Sequence, residues 1–149
     1  MPKKDILIGV KKKILKFINL WLPPILWALL IFKFSSGTIP SASPIFWQDF
    51  AVKKTGHLLF FGALALLVYR SLLGEGLSRK KAAVWSVVTA FLYGGSDEFH
   101  QMFTQGREAR VRDVIIDGLG AAALIYFTYH FLPRLPKKIQ RFLLQFDIS

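Results

Sequence analysis

The stretch SDEFHQMFTQGREARVRDVIID, residues 96–117, decides the fold because it separates two long apolar segments. Residues 82–96 precede it without Asp, Glu, Lys or Arg, and Val114–Leu132 follows with Asp117 as its one such charge. A charge at the centre of a bilayer costs about 2.5–3.5 kcal/mol or more. Polar groups wedged between two segments of membrane length therefore indicate a site at the edge of the hydrocarbon.

The composition predicts a small polytopic membrane protein in a single domain, residues 1–149. The chain is 53% hydrophobic and 19% charged, with mean hydropathy +0.41, whereas a soluble domain has about 25% charged residues. The chain contains no cysteine, which excludes disulfides, thiolate metal sites and a cysteine nucleophile. The net charge of +11 follows the ends of the apolar segments and forms no separate basic domain. The lipid bilayer is thus the expected partner, and nucleic acid is not.

Hydrophobic segments predict an all-α, four-transmembrane-helix bundle with short amphipathic interfacial segments. Met1–Lys16 is either a short surface helix or a solvated basic tail, and the segment after it is favoured as an uncleaved helix over a signal peptide. Pro23 and Pro24 should kink or delay the first helix. The predicted spans are residues 17–34, 55–73, 82–103 and 112–132, joined by a loop at 35–54 and followed by an amphipathic tail at 137–146.

The distribution of basic residues predicts the orientation. Of the 20 Lys and Arg residues, six lie in the N-terminal segment, four at positions 70–81 and four in the C-terminal tail, so that 14 share one side. The positive-inside rule places that side in the cytoplasm, with both termini. Ser96–Asp113 then lies on the outer face of the cytoplasmic membrane, together with the start of the second span.

Topology alone brings the polar residues of several helices to that outer face. Lys54 and His57 are three residues apart at the start of the second span, and Asp113 and Asp117 are four apart in the fourth, so each pair shares a helical face. Ser35 and Ser36 end the first span there, where they either donate hydrogen bonds to a pocket or simply terminate the helix. The candidate catalytic residues are His57, Asp97 and Glu98, and the candidate ligand-binding residues are Lys54, Gln101, Arg107, Asp113, Asp117, Ser35 and Ser36.

This constellation leaves four interpretations open. It is a salt-bridged latch that fixes the bundle, a pocket for a polar membrane-anchored ligand, or an enzyme site in which His57 works with Asp97 or Glu98 as general acid–base. Within either functional interpretation, Asp97, Glu98 and Asp113 offer oxygen ligands for calcium or magnesium. No cofactor and no metal is assigned, because the sequence has neither a Gly-rich phosphate loop nor a zinc pair at helical spacing.

The same residues resemble the VanZ-like family of small membrane proteins over about residues 20–132. Two departures from the family pattern stand out. Gln105 lies where the family often has proline, and Asp117 lies where it often has asparagine, which adds a charge. The matching pieces are Lys54-Thr-Gly-His57, Asp97-Glu98-Phe-His-Gln101, Gly106-Arg107, Asp113-Val114 and Asp117-Gly-Leu-Gly120.

The resemblance implies a four-helix membrane protein of the cell envelope linked to glycopeptide resistance, notably to teicoplanin and its lipid-bearing relatives. The family leaves the reaction, if any, undefined. Our first expectation is therefore a protein that binds a lipid-linked or peptidoglycan-related ligand or limits antibiotic access. The alternatives are an enzyme acting on an envelope lipid, with Arg107 holding a phosphate or carboxylate, and a structural or partner-binding membrane protein.

Overall fold

The computed structural model describes residues 3–37, 43–105, 107, 109–134 and 137, and these residues form an all-helical bundle, as predicted. Consecutive helices run antiparallel, and α4 packs against both α2 and α3. A single 3₁₀ turn, Leu132–Arg134, continues the last helix. The four long helices are α1 (Lys3–Ser35), α2 (Phe46–Gly74), α3 (Arg79–Gln101) and α4 (Val111–Phe131).

Three described helical segments are long and apolar enough to cross a membrane, by length and composition: Ile6–Ser35, Phe46–Gly74 and Val111–Arg134. Helix α3 has 23 residues, which corresponds to about 35 Å at 1.5 Å per residue. It is more polar, because Arg79 begins it, acids lie near its end, and Gly94 and Gly95 interrupt its apolar run. The molecule therefore has the helices of a membrane protein, with its polar side chains concentrated at helix ends.

Two helices begin earlier than the sequence predicts. Helix α1 starts at Lys3, so the basic N-terminal segment is part of the first helix and not a separate element, and Pro23 does not delay the helix. Helix α2 starts at Phe46, so residues 46–54, predicted as loop, form its first turns. That segment contains no glycine or proline. Asp49 and Lys53, one helical turn apart, form an ion pair of 2.8 Å that stabilises it as a helix. Beyond Lys137, the predicted tail at 137–146 lies outside the described residues.

Helices α2 and α4 approach closely because glycines remove the side chains between them. A Cβ atom built on Gly120 would overlap the carbonyl oxygen of Leu58 and lie 2.8 Å from its Cα atom. On the facing helix, a Cβ atom at Gly62 would lie 3.2 Å from the Gly120 carbonyl oxygen. Small residues permit such close backbone packing in membrane helices. The adjoining buried apolar cluster comprises Ala65, Tyr69, Ala82, Ala90, Ala121 and Ile125.

Helix α1 is held to α2 at the position of its two prolines. Proline lacks a backbone N–H, so Pro23 and Pro24 leave the carbonyl groups four residues earlier without helical donors. Arg70 Nη1 donates to the Asn19 carbonyl oxygen at 3.0 Å, and Ser71 Oγ donates to the Leu20 carbonyl oxygen at 2.6 Å. Two side chains of α2 thus satisfy the two carbonyl groups that the prolines release, which a nonpolar environment requires.

Two aromatic side chains tie α1 to its neighbours nearer the other end of the bundle. Trp27 Nε1 donates to the Phe60 carbonyl oxygen at 2.9 Å, and Tyr93 Oη donates to the Ala28 carbonyl oxygen at 2.6 Å. These bonds connect α1 to α2 and to α3, respectively. They position the end of α1, at Ser35, beside the polar end of the bundle.

Candidate functional site

The predicted polar residues meet at one end of the bundle, where α1 and α3 end and α2 and α4 begin. Burial separates them into three groups. Ser36 is exposed, and Lys54, His57 and Arg107 are half-buried. The buried group is Ser35, Asp97, Glu98, Gln101, Asp113 and Asp117.

His57 pairs with Asp117. Its Nδ1 atom lies 3.0 Å from Asp117 Oδ1, and Asp117 is 0% exposed. The sequence suggested Asp97 or Glu98 as the acid–base partner, whereas the direct hydrogen bond comes from α4, the helix that packs most closely on α2. Gly94 of α3 makes room for this pair, because a Cβ atom there would lie 3.2 Å from both Cβ and Oδ2 of Asp117.

A second ion pair lies one helical turn nearer the end of the same two helices. Lys54 Nζ is 2.5 Å from Asp113 Oδ2, and Arg112 Nε lies 3.6 Å from the other oxygen of that carboxylate. The spacing of 54 to 57 on α2 and of 113 to 117 on α4 sets the two pairs side by side. Helices α2 and α4 are therefore joined by two polar side-chain pairs, which lie nearer the N-terminal ends of both helices than the contact between Gly62 and Gly120.

The acids of α3 are only half satisfied. Gln101 Nε2 donates to Asp97 Oδ2 at 2.8 Å, and the Arg110 backbone N–H donates to Glu98 Oε2 at 2.8 Å. Asp97 Oδ1, Glu98 Oε1 and Asp117 Oδ2 are buried without a hydrogen-bond partner among the described residues. Buried polar atoms of this kind are rare in proteins, so each of them needs a physical explanation.

Arg107 contacts the end of α1 instead of a carboxylate. Its Nε atom donates to the Gly37 carbonyl oxygen at 2.7 Å, and its Nη2 atom donates to the Phe34 carbonyl oxygen at 2.5 Å. Partial burial lowers the pKa of the guanidinium, and the negative charges of Asp97 and Glu98 oppose that change. Arg107 therefore stays charged and caps the negative end of the α1 dipole.

His100 also belongs to this end of the bundle, although the sequence suggested only a helix-surface residue. Its Nε2 atom lies 3.1 Å from Ser36 Oγ, and its ring centroid is 4.5 Å from that of Phe32. Ser36 Oγ in turn donates to the Phe32 carbonyl oxygen at 2.7 Å. His100 and Ser36 thus connect the ends of α1 and α3 at the surface. Nothing in the sequence motif distinguished this contact from solvent exposure.

A cavity of about 280 Å³ lies beside these groups, between α1, α2 and α3. Its wall is mostly apolar and also includes ionisable and amide side chains. The apolar residues could not be predicted from the sequence, because they have the same character as those that face lipid. The apolar residues are Ile31, Phe34, Val52, Phe60 and Phe61, and the remaining ones are Ser35, Lys53, Gly56, His57, Asp97, Gln101 and Arg107.

The buried end of the site also contains a triad of potential metal ligands. One ligand atom from each of His57, Glu98 and Asp117 lies within 4.8 Å of the other two. The sequence-based alternative of Asp97, Glu98 and Asp113 is a different set. In the part of the chain that the structure describes, the histidine and one acid from each of α3 and α4 come together instead.

Comparison with known proteins identifies a protein family whose sequence model covers these residues. The VanZ/LLP1 family model matches residues 10–132, a range that contains every candidate site residue. No curated protein and no solved structure matches the chain.

Proposed function

Because this chain belongs to the VanZ/LLP1 family, we propose that it is a multi-pass protein of the cytoplasmic membrane that binds a lipid-linked or peptidoglycan-related ligand of the cell envelope. Both termini lie in the cytoplasm, and the polar end of the bundle faces away from it. The observation that carries this proposal is the cavity, whose mostly apolar wall also includes His57, Gln101 and Arg107.

The opening of the cavity suits an amphiphile that arrives through the bilayer. Phe34 and Val52 line it, yet they are 56% and 57% exposed. Both belong to helices that are apolar enough to span a membrane. Their exposed faces therefore contact lipid, and an acyl or polyprenyl chain can enter the cavity between them without crossing water.

The polar part of the wall suits the headgroup of such a molecule. Arg107 and Gln101 supply hydrogen-bond donors, and His57 supplies a ring nitrogen in the same cavity. A guanidinium is well matched to a phosphate or carboxylate. Because Arg107 already donates to the carbonyl groups of Phe34, in the last turn of α1, and of Gly37, just beyond it, a bound headgroup would also be coupled to the position of that helix.

The proposed location gives a route to glycopeptide resistance. A site at the outer face of the membrane lies where lipid-bearing glycopeptides such as teicoplanin anchor. Binding of a lipid-linked wall component there changes what the antibiotic can reach. We expect expression of the chain in a sensitive host to raise resistance to teicoplanin more than to a glycopeptide without a lipid tail, and equal effects would argue against this role.

A cavity-filling variant tests ligand binding directly. Val52→Trp places an indole at the mouth of the cavity, whereas Leu59→Trp adds the same group to the lipid-facing side of the same helix, where the side chain is 63% exposed. With purified protein in nanodiscs and photoactivatable envelope lipids, we expect Val52→Trp to reduce crosslinking at least about 10-fold and Leu59→Trp to leave it unchanged. Equal crosslinking in both variants would contradict the proposal.

Orientation is tested separately. Of the 20 basic residues, 14 are assigned to the cytoplasmic side, so a reporter fused between Gly74 and Arg79 should read as cytoplasmic. A reporter placed after Gly37 should read as external. The reverse pattern would place the polar end in the cytoplasm and remove the argument for an envelope ligand.

Acid–base catalysis on a bound lipid is the second candidate function, favoured by the His57–Asp117 pair. A buried carboxylate that accepts from Nδ1 orients the ring and leaves Nε2 as the exchanging nitrogen. His57 also lines the cavity. If the protein is an enzyme, His57→Gln should abolish product from labelled lipid while crosslinking persists. Absence of product from the unaltered protein would leave binding as the function.

A further inference from the structure

We propose that His57, Glu98 and Asp117 form a binding site for one divalent transition-metal ion of the Zn²⁺ class. This inference goes beyond the proposed lipid binding and does not depend on it. It rests on the convergence of three helices, since α2 contributes the imidazole, α3 one carboxylate and α4 the other, with ligand atoms within 4.8 Å of one another.

The donor set selects the class of ion. One imidazole nitrogen and two carboxylate oxygens are ligands that Zn²⁺ accepts in sites with three protein ligands and one open position. Mg²⁺ and Ca²⁺ favour all-oxygen sets, so the histidine argues for a first-row transition ion over either of them. The open position would be available to water or to a ligand, because His57 borders the cavity.

Unpartnered oxygens point independently to a cation. Glu98 Oε1 and Asp117 Oδ2 are buried and have no hydrogen-bond partner within the described residues, and the two side chains belong to residues that are 5% and 0% exposed. The hydrogen bonds of these carboxylates use their other oxygens, which contact the Arg110 N–H and His57. Each carboxylate therefore retains a lone-pair site that packing has removed from water.

The net charge of the three residues is a third reason to expect a bound cation. Lys54 is already paired with Asp113, and Arg107 donates to backbone carbonyl groups. His57 is the one basic group in direct contact with Asp117 among the described residues. Two ionised carboxylates and a neutral imidazole carry two negative charges, and a single proton shared among them would cancel only one of these. A dication shared by all three balances the two acids and leaves the imidazole neutral.

Binding requires only a small contraction. Zn²⁺ ligands lie about 2.0–2.2 Å from the metal, so tetrahedral ligand atoms are separated by about 3.4 Å. Ligand atoms of His57, Glu98 and Asp117 already lie within 4.8 Å of one another, and side-chain rotation, above all of the longer Glu98, supplies the remaining movement. A ligating imidazole must be neutral and the carboxylates ionised, so binding should weaken as the pH falls.

The test is a calorimetric titration of Zn²⁺ into the full-length protein in nanodiscs, after treatment with a chelator. We expect one ion per chain and, in Glu98→Gln and Asp117→Asn, at least about 100-fold weaker binding, because loss of outer-shell partners alone costs about 10–100-fold. Asp49→Asn is the control, since this acid on α2 pairs with Lys53, and it should change affinity less than about 3-fold. An equal loss in all three variants, or no binding by the unaltered protein, would overturn the proposal.

A measurement on the unaltered protein tests the metal site even if the variants misfold. Addition of Zn²⁺ at 100 times its dissociation constant should raise stability to unfolding by mass action, whereas Mg²⁺ at the same concentration should not. Co²⁺ as a spectroscopic substitute should give visible absorption bands that Zn²⁺ displaces. Stabilisation by Mg²⁺ equal to that by Zn²⁺ would reject the nitrogen-containing site. Lipid crosslinking that persists without metal would leave the proposed function intact.

Discussion

The contact between α2 and α4 has two halves that are built on opposite principles. In the apolar half, Gly62 faces the carbonyl of Gly120; a side chain at Gly120 would collide with the backbone of α2, and one at Gly62 would make a tight contact with α4. Beside them, Ala65, Ala121 and Ile125 are almost fully buried. This half is close-packed from small residues and needs no charge.

In the polar half, the same two helices are joined by Lys54–Asp113 and His57–Asp117. A cavity of about 280 Å³ lies next to these pairs, and the second oxygen of Asp117 is left without a hydrogen-bond partner in the described part of the chain. Buried ion pairs are often no more stabilising than apolar residues of the same volume. The apolar half therefore joins the two helices by close packing, whereas the polar half joins them by ion pairs beside a cavity.

Removing the cation of the Lys54–Asp113 pair should have the largest effect on stability. Lys54→Met leaves the carboxylate of Asp113 buried without its 2.5 Å partner, at a cost of about 3 kcal/mol in the free energy of unfolding. SDS-induced unfolding in bicelles measures it. The neighbouring Lys53→Met is the control, because its more exposed pair with Asp49 contributes less than about 1 kcal/mol. Similar losses in both variants would show that the polar half is not desolvated.

Adding a methyl group to the apolar half should cause the second largest loss of stability. Gly120→Ala forces a Cβ atom against the Leu58 backbone, which cannot move as a side chain can, and overpacking of this kind costs about 1–3 kcal/mol. Gly95→Ala, whose Cβ atom meets nothing within 4 Å, should leave stability unchanged or raise it. If Gly120→Ala is neutral in the same unfolding assay, the close approach of α2 and α4 is not needed.

The hydroxyl that contacts α1 should have an effect of about 1–2 kcal/mol. Ser71→Ala leaves the Leu20 carbonyl without the donor that replaces the missing N–H of Pro24. Ser86→Ala is a matched control, since in the described part of the chain that buried hydroxyl donates within its own helix, to the Ala83 carbonyl oxygen at 2.9 Å. Thermal unfolding in detergent compares the two variants, and equal stability would reject this role for Ser71.

A change between the two halves should act on the site more than on stability. Gly94→Ala places a methyl group 3.2 Å from the Asp117 carboxylate and should displace it from His57, with a stability cost of about 1 kcal/mol. The two-dimensional NMR signal of the His57 ring should shift in Gly94→Ala and stay in place in Gly95→Ala. A shift in both variants would mean that the ring senses helix flexibility in general.

The smallest expected effect concerns the end of α1. Arg107→Lys keeps the charge but loses the planar pair of donors to Phe34 and Gly37. We expect about 1 kcal/mol less protection of the last turn of α1 in hydrogen exchange, without a change in global unfolding. Arg112→Lys, with a half-exposed side chain, serves as the control and should leave that exchange rate unaltered.

Much of this architecture follows from the sequence, because apolar segment length and antiparallel order force the polar residues to one end. The extra turns of α2 were missed because Pro40 and Pro44 suggested a longer loop, while the aromatic residues from Phe46 onward fit a helix equally well. The partner of His57 was missed for a different reason. Helical periodicity gives the face of each residue but not the rotation of one helix against another, and here Gly94 and Gly120 set that rotation.

The prolines of α1 have one more consequence, which concerns alignment. The two carbonyl groups facing Arg70 and Ser71 are the ones that lack helical donors, so sliding α1 by a single residue would leave one of them without a donor and set one side chain against a carbonyl already in use. These two contacts therefore fix the register of α1 relative to α2. Ser35 lies twelve residues beyond Pro23, about 18 Å along the axis, so contacts near the middle of α1 fix the height of the cavity wall at its end.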